Sequence, residues 1–255
     1  MEINKIYNMD CSVGLKEIEK ESINLIFSSP PYNIGKEYET KTSKQAYIKW
    51  QSELITEYYR VLKTNGCVVY QVGNYVEHGA VYPIDCLLFN EFILNGFIPR
   101  NRIIWTFEHG LHCTKRLSGR HETALWFTKS NDYTFNLNEI RVPQKYPNKK
   151  YYKGDKKGQL SCNPLGKNPS DVWSITNVKN NHPEKTEHPC QYPLELANRV
   201  IKAFSNENEI ILDPFIGSGT TAVAAIKLNR SYLGFEKEEL YIDICNNRIN
   251  NVVNK

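Results

Sequence analysis

The sequence predicts an α/β protein, with a parallel sheet, helices on both faces and an irregular insertion in its second half. Three observations predict it. Apolar β-rich runs alternate with amphipathic helical patterns before residue 130 and again after 188, as crossover helices between parallel strands require. The clearest strand, Ile23–Phe27, stops abruptly at Ser28-Ser29-Pro30-Pro31-Tyr32, while a later strand runs into a Gly-Ser-Gly turn and a helix. Between them, residues 131–187 show almost no periodicity.

In chain order, Ile3–Tyr7 alternates as a short strand and Asp10 can cap a helix over Cys11–Lys20. After Ile23–Phe27 and its proline corner, residues 33–45 are polar and are expected as a mobile loop over that corner. Ala46–Leu62 carries an amphipathic helix pattern that Thr64-Asn65-Gly66 ends. Cys67–Val72 is a buried strand, Pro83–Asn95 a helix, and Arg102–Phe107 and Glu122–Lys129 are strands enclosing a basic loop. The insert holds prolines, glycines and lysines interleaved with Tyr146, Tyr151 and Tyr152; Trp173, Ile175 and Val178 give it partial packing, so a small lobe is expected. Pro193–Phe204 is a helix, Ile210–Leu212 a strand, Thr220–Leu228 a helix, Ser231–Phe235 a strand and Leu240–Ile249 the last helix. All four tryptophans, at 50, 105, 126 and 173, are expected in the core.

Composition narrows the class. A chain of 255 residues supports one domain with an insertion, and 40% hydrophobic with 24% charged residues fits a water-exposed globular protein. No apolar run approaches a membrane span and the N-terminus lacks a signal-peptide pattern. Seven cysteines without a C-x-x-C pair point to reduced thiols and a cytoplasmic setting. Net charge of +4 permits a polyanionic partner without demanding one.

Two constellations carry chemistry. Proline fixes φ and lacks an N–H, so Ser29-Pro30-Pro31-Tyr32 is a stiff extended corner at the carboxyl end of a strand, where α/β sheets bind ligands. It offers a hydroxyl, carbonyls and an aromatic face, suited to a flat ring bearing an amino group; alone, it is equally a stiffened turn. The second runs Asp213-Pro214-Phe215-Ile216-Gly217-Ser218-Gly219-Thr220-Thr221, with Glu236 19 residues after Gly217, the distance at which an acid takes a ribose diol. A third glycine for a pyrophosphate is missing and Asp213 disfavours phosphate, so S-adenosylmethionine suits this turn.

Together, Ser-Pro-Pro-Tyr first and Asp-Pro-Phe-x-Gly-x-Gly-Thr-Thr last closely resemble the β class of amino-group DNA methyltransferases of bacterial restriction–modification systems. The resemblance covers nearly the whole chain. It implies a Rossmann-like S-adenosylmethionine-dependent methyltransferase sheet with circularly permuted motif order, formed by 1–130 and 188–255, and a target-recognition insert at 131–187. Met9-Asp10-Cys11 is similar to the family's Gly-Asp-Cys, with Met in place of Gly. Ser29, Pro30, Pro31 and Tyr32 are then catalytic: Tyr32 stacks on a flipped base, and Ser29 and Pro30 accept hydrogen bonds from its exocyclic amine. Asp10, Cys11, Ser29, Pro30, Gln191, Asp213, Phe215, Gly217, Gly219, Thr220, Thr221 and Glu236 hold the cofactor.

Lys115, Arg116 and Arg120 in the basic loop, and Lys145, Lys149, Lys150 and Lys153 in the insert, are the expected contacts to double-stranded DNA. His109, His112 and Cys113 lack a fourth partner, so no metal is expected. Serine at position 29 is commoner among N4-cytosine enzymes of the family and aspartate among N6-adenine enzymes, so N4 of cytosine is expected, with N6 of adenine the alternative. The resemblance also leaves room for a cognate restriction endonuclease and a homodimer. Methylation of RNA or of a protein glutamine, or DNA binding without catalysis, are the rival functions.

Overall fold

The computed structural model describes residues 1–37 and 39–254. Its elements run β1 (Lys5–Asn8), α1 (Cys11–Glu17), β2 (Ile23–Ser28), α2 (Lys44–Val61), β3 (Leu62–Val72), β4 (Asn74–Glu77), β5 (Ala80–Pro83), α3 (Ile84–Leu94), β6 (Ile98–Thr106) and β7 (His121–Thr128). A short 3-10 turn (Leu137–Ile140) and β8 (Val172–Ser174) follow, then α4 (Leu194–Phe204), β9 (Ile210–Asp213), α5 (Thr220–Lys227), β10 (Ser231–Glu236) and α6 (Glu239–Val253). An eight-stranded sheet has the order β1-β10-β9-β2-β3-β7-β6-β8. The first five are parallel, β7 runs against both neighbours, and β8 lies parallel to β6.

The sheet is therefore mixed rather than wholly parallel. Strands β6 and β7 are joined by the basic loop as a hairpin-like pair, which reverses β7; apolar alternation carries no direction. A second departure is the β4–β5 hairpin, turned by His78 at φ 49° and Gly79 at φ 84°.

Period-two alternation sorts the strand residues onto two faces. Leu25, Phe27, Val69 and Trp126 face a layer made by α4, α5 and α6, whereas Ile26, Val68, Tyr70 and Phe127 face α1, α2 and α3. All six residues of β2 are buried, as the central strand of a sheet covered on both sides should be.

Direction of winding changes at the β9/β2 boundary. Helix α5 carries the chain from β9 outward to β10, and α2 carries it from β2 the other way to β3, on the opposite face. The carboxyl ends of β9 and β2 thus bound a switch-point crevice.

The insert is anchored at both ends. Ile140, Trp173 and Ile175 join the core on the α4 side, and β8 extends the sheet beyond β6. Between them residues 142–167 form an irregular antiparallel arm, bridged at Val142–Lys167 and Lys150–Leu160 and turned where Lys157 N–H donates to the Gly154 carbonyl at 2.9 Å. All seven cysteines have free thiols. Among the described residues no helix is long and apolar enough to cross a membrane.

Candidate active site

Above the switch point lies a cavity of about 330 Å³ at the carboxyl ends of β1, β2, β9 and β10. It brings together the sequence-predicted Asp10, Cys11, Ser29, Pro30, Pro31, Tyr32, Gln191, Phe215, Gly217, Thr220 and Glu236, residues from both ends of the chain. Three residues expected to touch the ligand stand behind the wall instead. Asp213 and Thr221 are wholly buried and, like Gly219, do not line the cavity.

Asp213 anchors that wall. Its carboxylate accepts hydrogen bonds from Ser28 Oγ at 2.5 Å, Thr221 Oγ1 at 2.6 Å, Tyr192 OH at 3.0 Å and Phe215 N–H at 3.1 Å. Burial pushes its pKa up, and these four donors oppose the rise. Ser28 lies on β2 and Asp213 on β9, so the bond locks the two strands at the point where their crossovers diverge. Gly219 serves packing: at φ 80° it admits no ordinary side chain, and a Cβ there would lie 2.1 Å from Cys245 Sγ of α6. Arg248 of α6 fastens the same turn, donating to the Ser218 carbonyl at 2.7 Å and to Thr220 Oγ1 at 3.0 Å.

The acid at the end of β10 faces the cavity. Glu236 Oε2 accepts from Gly217 N–H at 3.1 Å and Oε1 from Glu238 N–H at 2.9 Å; burial raises its pKa, and these backbone donors counter it. Asp10 caps α1 by accepting from Ser12 N–H at 2.8 Å. Cys11 is a packing residue whose thiol is pushed up by burial. Gln191 is held by the Thr186 hydroxyl at 2.9 Å and donates to the Glu184 carbonyl at 2.7 Å. Beside it His188 packs edge-on to Tyr241, ring centroids 4.4 Å apart, and burial pushes its pKa down to about 4.

At the proline corner, Tyr47 OH donates to the Pro31 carbonyl at 2.9 Å. Among the described residues nothing donates to the Pro30 carbonyl. Ser29 Oγ lies 3.1 Å from Tyr32 OH, which in turn reaches Gln71 Oε1 at 3.3 Å and Glu122 Oε2 at 3.4 Å. Gln71 Nε2 also donates to Glu122. Desolvation raises the pKa of both Tyr32 and Glu122; the Glu122 charge pushes that of Tyr32 up further, whereas the hydrogen bonds from Gln71 and Tyr32 hold that of Glu122 down. The loop after the corner is tied rather than loose: Asn33 exchanges hydrogen bonds with the Thr42 backbone at 2.7 and 2.9 Å. Glu39 accepts from the N–H groups of Asn33 and Ile34, both at 2.7 Å. Tyr38 lies outside the described residues.

Several site residues went unseen in the sequence. Trp50, expected in the core, is half-buried at the cavity wall, edge-on to Phe215 with ring centroids 5.8 Å apart. Tyr47 precedes it by one helical turn, and that spacing of two aromatics on α2 was the available signal. Gln71, Glu122 and Tyr192 act through contacts distant in sequence, which no local pattern marks. The basic residues Lys115, Arg116 and Arg120 sit on the β6–β7 loop, which leaves the sheet at the edge that holds the corner. Lys145, Lys149, Lys150 and Lys153 are exposed on the arm. Among the described residues no group of three metal-ligating side chains converges.

A doubly wound sheet with a glycine turn and a proline corner on one switch-point cavity defines a Rossmann-like, ligand-binding fold. Comparison with known proteins narrows the class. The family model for DNA methylases matches residues 23–247. Over 244 residues the chain is 52% identical to the type II methyltransferase M.BglII of Bacillus subtilis, spanning 95% of this chain and 68% of that one. Identity to M.ScaI of Streptomyces caespitosus is 39% over 253 residues, 96% of this chain and 80% of that one. Among solved structures, the PvuII cytosine-N4-specific DNA methyltransferase shares the fold with a TM-score of 0.78 at 20% identity, over 97% of this chain and 86% of that one. The chain belongs to the DNA methylase family, the amino-methyltransferases of restriction–modification systems.

Proposed function

We propose that this DNA methyltransferase moves a methyl group from S-adenosylmethionine to N4 of a cytosine flipped out of duplex DNA. The observation that carries the choice of base is Ser29: the corner presents a neutral hydroxyl where the family's adenine enzymes typically carry a carboxylate. S-adenosylmethionine, when bound, supplies an electrophilic methyl on a sulfonium. The cavity suits it, because Trp50 and Phe215 give it aromatic walls and Asp10, Glu39 and Glu236 oppose a phosphate-bearing ligand but not a cationic one. Asp10, Phe215, Gly217, Gln191 and Glu236 are the residues that would hold it.

Chemistry at the corner follows from its acceptors. A conjugated amine is a poor nucleophile. Accepting its hydrogens at Ser29 Oγ and the Pro30 carbonyl favours the pyramidal form and frees the nitrogen lone pair. Tyr47 occupies the Pro31 carbonyl and so leaves Pro30 as the proline acceptor. Tyr32 offers its ring to the base, and its anchored hydroxyl sets the ring's angle. Holding both reactants in line supplies much of the remaining acceleration. The lysine arm and the basic loop grip phosphates, and the insert supplies target recognition.

Nucleoside mass spectrometry tests this. DNA incubated with the protein and labelled S-adenosylmethionine should yield labelled N4-methylcytosine. Labelled N6-methyladenine would assign the other base, and label found only in RNA or protein would overturn the DNA assignment.

A further inference from the structure

The β6–β7 loop shows two large apolar side chains to solvent: Leu111 is 87% exposed and Leu117 93%. Neither stabilises the free protein by burial, yet the loop is well built. Phe107 N–H donates to the Arg120 carbonyl at 3.0 Å, Arg120 Nη1 to the Leu111 carbonyl at 3.2 Å, and Cys113 N–H to Ser118 Oγ at 3.0 Å. From the insert, Asn177 Nδ2 braces the first limb through the His109 carbonyl at 3.1 Å. Two leucines thus ride on a cross-braced loop whose interior they do not fill.

Position and charge say what covers them. Strand β6 is parallel to β3 and hence to β2, so the loop rises from the same sheet edge as Ser29–Tyr32. Its far root is fixed to the corner itself, since Glu122, two residues after Arg120, reaches Tyr32 OH at 3.4 Å. Lys115, Arg116 and Arg120 share the loop with the leucines, so a polyanion is the partner it attracts. Phosphates account for the cations but not for the leucines. The apolar part of a duplex is its base stack, and a base leaving the stack opens a gap beside the corner that receives it.

We infer that Leu111 and Leu117 form a wedge that enters the base stack and fills the space vacated by the flipped base, while Lys115, Arg116 and Arg120 hold the flanking phosphates. This rests on the proposed methylation of a flipped base. The wedge acts before methyl transfer, by making extrusion of a paired base cheaper.

The test uses the full-length protein and a duplex carrying the motif found methylated in an expressing host, either fully paired or with an abasic site opposite the target. An abasic partner removes the pairing that extrusion must break. The Leu111→Ala/Leu117→Ala variant should lose about tenfold or more in kcat/KM on the paired duplex, the worth of one buried leucine. On the abasic duplex it should regain most of that loss, and the salt dependence of DNA binding should not change. Leu117→Met, which keeps the length of the side chain, should stay close to the parent on both. Calorimetric titration with S-adenosylmethionine verifies that each variant is folded. Equal losses on both duplexes, or no loss on the paired one, would overturn the wedge while leaving methylation by the parent protein intact. A parent protein that methylates neither duplex would remove the underlying reading instead.

Discussion

Replacing Asp213 by Asn separates a residue that holds the cavity wall from one that touches the ligand. The carboxylate is wholly buried and takes three hydroxyl donors and one backbone N–H. Hydrogen bonds to a charged group contribute about 1.5–3 kcal/mol net, against about 0.5–1.5 kcal/mol for neutral pairs. Three weakened hydroxyl bonds, with an amide NH2 turned toward groups that had been donating, give a loss of about 3–5 kcal/mol. For a protein of this size that lowers Tm by about 10 °C. Affinity for S-adenosylmethionine should fall only about tenfold, because Phe215 and Gly217 still line the cavity on a loosened turn. Differential scanning calorimetry and isothermal titration measure the two quantities. An unchanged Tm with cofactor binding abolished would refute the reasoning and make Asp213 a direct ligand contact.

Other outcomes follow from the same geometry. His188 titrates near 6.5 when unfolded and at about 4 when folded. Between those values the unfolded chain binds the extra proton, so acidification from pH 6.5 to about 4 should cost about 3 kcal/mol at this residue. The stability difference between the parent and His188→Gln, measured by urea unfolding, should shrink by that amount across the window; a difference constant with pH would count against it. Gly219→Ala should destabilise the fold by about 2–4 kcal/mol through left-handed backbone strain and collision with Cys245, and Cys245→Ala should recover part of the loss. Replacing Lys149, Lys150 and Lys153 together by Gln should flatten the salt dependence of DNA binding by about three charges, as read from binding isotherms at several salt concentrations. An unchanged slope would remove the arm from the DNA interface.

Legibility in the sequence followed the residues that restrict the backbone. Two prolines after a largely apolar strand marked the corner, and glycines between Asp213 and Thr220 marked the turn, because few conformations fit those residues. Helix ends were also visible where a cap was present, as at Asp10. Direction was not, which is why β7 emerged reversed: alternation reports which face is buried and nothing about polarity. The β4–β5 hairpin escaped because His78-Gly79 makes its turn without the usual Asn-Gly. Trp50 looked like core because a tryptophan on a helix face packs equally well against a core or a cavity. Glu122 lies 90 residues from Tyr32 in sequence, and no local signal announces such a partner. Asp213, expected at the ligand, is buried behind the cavity wall, because a strand-end acid can face either the ligand or the sheet.

Long-read sequencing of DNA from a methylation-free host, expressing either the parent protein or Ser29→Ala, tests the central claim most directly. A single cytosine-containing motif should carry N4-methylcytosine with the parent protein, and the signal should vanish with Ser29→Ala while S-adenosylmethionine binding persists. Modification that survives Ser29→Ala, or no modified motif despite tight cofactor binding, would contradict the assignment of amine-directed methyl transfer to the Ser29–Tyr32 corner.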